Sequence, residues 1–301
     1  MTKMHADEVD IDAPLVRRLI AAQFPQWRDL AVVPVPSSGT DNAMYRLGDD
    51  MAVRLPRRPR ATESLAKEQA WLPRLAPHLP LAIPVALAKG TQGEGYPWAW
   101  SICCWLAGEN PVRGRIADPC RMASDLAGFI AALHRIDPKG GPAPGTHNFW
   151  RGVTLARRDA YTRDAIAALK DAIDVEAVTM AWEKDAAAPQ WQGAPVWIHG
   201  DLSAGNLLAD GGRLSAVIDF GGLGVGDPAC DLIVAWSLFE GEARDSFRAA
   251  LSVDDATWAR GCGWALSCAL VALPYYQTTN PAIAAAARYT IGEVLTHHRL
   301  G

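Results

Sequence analysis

The chain has 301 residues and a mass of 32.4 kDa, with half of its residues apolar, so it can bury a sizeable core and is no disordered chain. Its formal charge of −4 is uneven: residues 1–105 carry 12 basic and 11 acidic side chains, a net +1, and residues 106–301 carry 17 and 22, a net −5. Neither part has the basic excess of a nucleic-acid binder, and the acidic start (Asp7, Glu8, Asp10, Asp12) has no apolar leader, so a cytoplasmic protein is expected.

In chain order, Asp12 is placed to cap a helix over 12–24, with Pro14 in its first turn and Leu15, Leu19 and Ile20 on one face. AVVPVP, NAMYRLG and MAVRLP follow as short β-rich runs separated by SSGTD and GDD, which predicts an antiparallel meander. Residues 61–76 have helical periodicity through Leu65, Trp71, Leu72 and Leu75; LAIPVAL and WAWSICCW then read as two further strands. After Gly108 the pattern turns helical, with segments over 118–137, 154–170, 174–188, 227–239, 242–251, 254–273 and 281–295. One β insert interrupts them: NLLA and LSAVID, joined by DGGR, form a hairpin with Asn206 at its start and Asp219 at its end.

The stretch 265–276 is too short for a membrane span and reads as a buried helix. The six cysteines have no C-x-x-C pair, which predicts reduced thiols and no structural metal.

WIHGDLSAGNLL, residues 197–208, holds Asp201 and Asn206 five positions apart, and Asp219 follows across the hairpin. Phosphoryl transfer needs a base near the acceptor hydroxyl and oxygen ligands for Mg²⁺, and a loop followed by a hairpin gathers three such groups from a short stretch. The order His199-Gly200-Asp201, Asn206, Asp219-Phe220-Gly221 follows the protein-kinase signature. The plain alternative is a loop capped by its own Asp and Asn side chains.

HGDLSAGNLL and VIDFGGLGVGDPACDL resemble the two signatures of the aminoglycoside phosphotransferase family, a kinase-like fold that also includes macrolide, choline and other small-molecule kinases. The resemblance implies an α+β, protein-kinase-like bilobal fold: an antiparallel-sheet N-lobe over 1–105, a hinge near Cys104 to Gly108, and a mainly helical C-lobe over 106–301. It implies Asp201 as catalytic base or hydroxyl-orienting group, Asn206 and Asp219 as Mg²⁺ ligands, and ATP or GTP as donor. Asp227 is read as a helix cap or a functional group, Asp231 as a support of the loop, and His199 as a brace. SSGTDN resembles a phosphate-covering loop, with Ser38, Gly39 and Thr40 against the nucleotide. Arg54 in MAVRLP stands where protein kinases have lysine, with Glu68 as its partner and Glu63 as the second choice. Ile102, Cys103 and Cys104 are expected to offer backbone to the base of the nucleotide.

The net −5 of the second part favours a cationic acceptor such as an aminoglycoside. A macrolide or choline-like acceptor would share every motif, and a non-catalytic nucleotide-binding protein is the reading outside enzymes.

Overall fold

The computed structural model describes residues 9–35 and 41–300. The Asp12 carboxylate accepts from the Leu15 N–H at 2.8 Å and starts α1 (Ala13–Gln23). Its Leu15, Val16, Leu19 and Ile20 then bury against a five-stranded sheet, the periodic face doing what its spacing predicts. The strands are β1 (Val32–Pro34), β2 (Asn42–Leu47), β3 (Met51–Pro56), β4 (Ala86–Gly90) and β5 (Trp100–Cys104). All four pairings are antiparallel, in the order β1-β2-β3-β5-β4. Between β3 and β4 runs α2 (Pro59–Leu75), which carries Glu68.

β4 begins later than the expected strand over 81–87. Pro84 lacks an N–H for a ladder, and upstream of it Ala82 makes only an isolated bridge to Ala216.

The second core is helical: α3 (Pro119–Arg135), α4 (Asp159–Ala168), α5 (Val175–Ala186), then, beyond the insert, α6 (Val234–Ser237), α7 (Gly241–Leu251), α8 (Asp255–Tyr276) and α9 (Pro281–Leu300). Trp182, Trp197, Trp236 and Trp264 are fully buried in it. Such a large side chain contributes roughly 1.5–3 kcal/mol when removed from water, enough to offset the ordering of its own residue. α8 packs against α4, α5 and α9 and is buried on nearly every side, as the apolar stretch predicts. No helix of the described residues is long and apolar enough to cross a membrane.

Two expected helices are shorter. Over 154–170 a 3₁₀ turn (Leu155–Arg158) precedes α4, and over 227–239 a 3₁₀ segment (Pro228–Ile233) precedes the single turn of α6. The latter segment is wholly buried and its Asp231 side chain is committed to a neighbouring loop, so packing overrides helix periodicity there.

The hairpin is present as β7 (Leu207–Asp210) and β8 (Arg213–Val217), with Asn206 just before it and Asp219 two residues after it. A second pair, β6 (Val196–Ile198) with β9 (Gly224–Gly226), escaped the sequence reading because three residues carry no periodicity. Asp185, Cys262 and His298, from α5, α8 and α9, bring ligand atoms within 4.8 Å of one another. That is one ligand short of a closed structural zinc site, and His298 Nε2 lies within hydrogen-bond distance of the Asp185 carboxylate, at 3.1 Å.

Candidate active site

Pairing of β6 with β9 sets two loops side by side, because His199-Gly200-Asp201 leaves β6 where Asp219 to Gly222 approaches β9. The approach is close. A Cβ on Gly200 would stand 2.4 Å from the Gly222 carbonyl oxygen, and Gly200 has φ +81°, so glycine is required on both counts.

Asp231 holds this loop. Fully buried, its carboxylate accepts from the His199 N–H at 3.0 Å and the Gly200 N–H at 2.7 Å. His199 braces the same loop, its Nε2 3.1 Å from the Ile218 carbonyl and its Nδ1 accepting from the Asp201 N–H at 3.2 Å. Asp231→Asn turns an amide N–H₂ against one of two backbone donors. We expect a loss of about 1–3 kcal/mol in stability together with reduced turnover, read by denaturant unfolding and steady-state kinetics.

The loop so held presents Asp201, with its side chain half exposed. Asn206 donates from Nδ2 to the Asp201 backbone oxygen at 2.7 Å and to its carboxylate at 3.2 Å, and its Oδ1 has no hydrogen-bond partner among the described residues. Asp219 sits in the left-handed region (φ +61°), its carboxylate half exposed and 3.4 Å from the Gly221 N–H. Carboxylate and amide oxygens are the hard donors that suit Mg²⁺, so these residues fit the ion the motif implies.

From the N-lobe, Arg54 on β3 meets Glu68 on α2 through both ends of its fork, Nη1 to Oε2 and Nη2 to Oε1, the latter at 3.1 Å. Arg54 Nη2 is 3.7 Å from the Asp219 carboxylate, which ties the sheet to the loop after the hairpin. Burial opposes the Arg54 charge, but Glu68 and Asp219 outweigh it and raise its pKa; burial raises that of Glu68 against the pull of Arg54. Glu63, the second choice, is exposed on the first turns of α2.

Lys67, missed in the sequence reading, donates to the Gly221 carbonyl at 2.8 Å and the His147 carbonyl at 3.3 Å. Burial lowers its pKa to about 8, against Glu68, Asp219 and Glu63, which raise it.

Ile102 and Cys103 are paired on both sides, by β3 and β4, so their backbone groups serve the sheet. Cys104 is paired only with Met51 and is exposed, which moves the backbone expected to meet a nucleotide base to Cys104 and the residues after it. Ser38, Gly39 and Thr40 lie outside the described residues.

Asp227 is structural. It caps its segment at the Ala229 N–H (3.0 Å) and pairs with buried Arg260 at 2.8 Å. Arg151 is the other residue that sequence reasoning missed: its Nη2 donates to Asp201 Oδ1 at 3.3 Å and its Nη1 to Cys268 Sγ. It is presented by a turn in which Phe149 and Trp150 both have positive φ, pinned by buried Asn148, whose Nδ2 donates to the Arg151 carbonyl at 3.1 Å. No periodicity marks such a turn.

A family model described as the phosphotransferase enzyme family matches residues 32–264. The chain belongs to that family. A search of curated proteins by sequence returned no significant match. Among solved structures, the GDP complex of wild-type aminoglycoside 2'-phosphotransferase-IIIa is similar at 18% identity and TM-score 0.75, covering 96% of this chain and 100% of that one. The GDP and kanamycin complex of APH(2")-IIia is similar at 19% identity and TM-score 0.73, covering 94% and 98%. Macrolide 2'-phosphotransferase MphH from Brachybacterium faecium, an apoenzyme, is similar at 25% identity and TM-score 0.62, covering 93% and 98%. The likeness to the first two is one of fold, kinase-like with a sheet-bearing and a helical lobe. The protein is a phosphotransferase.

Proposed function

We propose that the protein transfers the γ-phosphoryl group of ATP or GTP to a hydroxyl of a small molecule. The observation that carries this reading is the gathering of Asp201, Asn206 and Asp219 on two adjoining loops, with Arg54 reaching Asp219 from the opposite lobe. Asp201 orients the acceptor hydroxyl and takes its proton. The new bond forms between that oxygen and the γ-phosphorus as the bond from phosphorus to the β–γ bridging oxygen breaks. Asn206 and Asp219 would hold Mg²⁺, which when bound neutralises charge on the phosphates. Arg54 grips phosphate oxygens and Glu68 fixes its fork.

Arg54→Ala should raise the ATP requirement and also leave Glu68 buried without its partner, at a cost of about 3–5 kcal/mol. Arg54→Lys should recover part of both losses. ATP saturation curves beside thermal unfolding separate the two effects; an unchanged ATP requirement in both variants would remove Arg54 from the phosphate site.

Two acceptor classes are supported from outside the site. The net −5 of residues 106–301 and the kanamycin-bound neighbour favour an aminoglycoside. The 25% identity to a macrolide phosphotransferase favours a macrolide. Mg²⁺-dependent ATP turnover across aminoglycosides, macrolides, other antibiotics and amino alcohols tests the reading. No acceptor-dependent turnover, with no Mg²⁺-dependent nucleotide binding, would return the protein to the non-catalytic alternative.

A further inference from the structure

Two arginines gather around Asp201 and Trp264. Arg151 shares Asp201 with the chemistry, and its other hydrogen-bond partner among the described residues is the Cys268 thiol. Arg158, at the start of α4, donates from Nε to Ser267 Oγ at 2.9 Å, and Ser267 in turn lies 2.7 Å from Thr162 Oγ1. No carboxylate of the described residues pairs with Arg158. Both guanidiniums lie against the ring of Trp264 on α8, with Cζ 5.6 Å and 4.9 Å from its centroid. Trp264 is fully buried, and its indole Nε1 has no hydrogen-bond partner among the described residues.

The balance is therefore two cations against one carboxylate, which the reaction itself requires. Burial lowers the Arg158 pKa, Cys268 raises it, and the neighbouring Arg151 lowers it further, as expected for a charge short of a partner. A buried donor left without an acceptor costs about 1–3 kcal/mol, and a guanidinium fork matches the two oxygens of a carboxylate or phosphate. We propose that Arg151 and Arg158, both resting against the Trp264 ring, form an acceptor subsite for an oxyanion, so that the molecule phosphorylated carries a carboxylate or phosphate group near its reacting hydroxyl. The inference rests on the phosphotransferase reading and changes the acceptor expected from net charge. Charges in contact outweigh a lobe-wide surplus screened over about 8 Å, and a polycation is the poorest fit to this wall. An oxyanion there also competes with Asp201 for Arg151, which frees the Asp201 carboxylate to face the hydroxyl.

The test uses the full chain with its nucleotide site filled by saturating Mg²⁺ and a non-hydrolysable ATP analogue. Inorganic sulfate is then titrated by calorimetry into wild type, Arg158→Gln and Arg158→Lys. Wild type should bind sulfate, Arg158→Gln should bind at least roughly tenfold more weakly, and Arg158→Lys should recover part. If Arg158→Gln fails to fold by thermal unfolding, Arg158→Lys carries the test in its place and should bind sulfate more weakly than wild type. In parallel, hydroxy-carboxylates, sugar phosphates, aminoglycosides and macrolides are assayed as acceptors. Turnover of either oxyanion class, with kcat/KM falling in Arg158→Gln, supports the subsite and tells carboxylate from phosphate. Sulfate that does not bind wild type, or binds Arg158→Gln equally well, overturns it; so does a best acceptor that lacks an oxyanion and is turned over equally by Arg158→Gln. Arg158-dependent sulfate binding without phosphorylation of any acceptor would instead sink the kinase reading and leave the subsite standing.

Discussion

Asp201→Asn should abolish most phosphoryl transfer while nucleotide and Mg²⁺ still bind. The substitution keeps the size of the side chain and a hydrogen-bonding oxygen, and the Asn206 contact to the backbone of residue 201 at 2.7 Å does not depend on the carboxylate. What is lost is charge and basicity at a half-exposed position. Removing a general base costs roughly 10²–10⁴ in rate. A loose transition state asks more of positioning than of proton removal, so a residual rate above background agrees with the mechanism. Nucleotide affinity by calorimetry and acceptor phosphorylation by mass spectrometry are measured on the same preparation. Wild-type transfer in the variant would refute the role given to Asp201.

That site was legible because its residues are close in sequence. Asp201, Asn206 and Asp219 fall within nineteen positions, and a hairpin recognisable from DGGR between two apolar runs folds them together. The Arg54 and Glu68 pairing was legible for a similar reason, being one strand and the helix after it. Arg151 and Lys67 were not. Arg151 reaches Asp201 across fifty residues from a turn held by two left-handed residues and a buried asparagine, and Lys67 reads as an exposed helix charge until the Gly221 carbonyl is placed beside it. The short β6 and β9 pair was invisible for want of length, although it explains why Gly200 must be glycine. Net charge is blind in a different way: it favours a cationic acceptor by counting every surface carboxylate and carries no information on where Arg151 and Arg158 sit.

Asp219→Ala should remove Mg²⁺-dependent nucleotide binding and transfer together, unlike Asp201→Asn, which separates them. The Asp219 carboxylate is half exposed, and its protein contacts are loose: the Gly221 N–H at 3.4 Å and Arg54 at 3.7 Å. A side chain so lightly engaged contributes little to folding, and its oxygens remain available to a cation bridging to phosphate. Alanine also occupies the left-handed backbone at a cost of roughly 1–2 kcal/mol, which aspartate tolerates better. Asp219→Asn controls for this, since it accepts the same backbone and loses only the charge. We expect both variants to fold, both to lose the increase in nucleotide affinity that Mg²⁺ gives wild type, and Asp219→Ala alone to melt lower. Calorimetry of the nucleotide with Mg²⁺ and with a chelator reads the metal linkage, and thermal unfolding reads the backbone cost. If Mg²⁺ strengthens nucleotide binding to Asp219→Asn as much as to wild type, Asp219 is no ligand, and the loop after the hairpin must be holding Arg54 and Gly221 in place for another purpose.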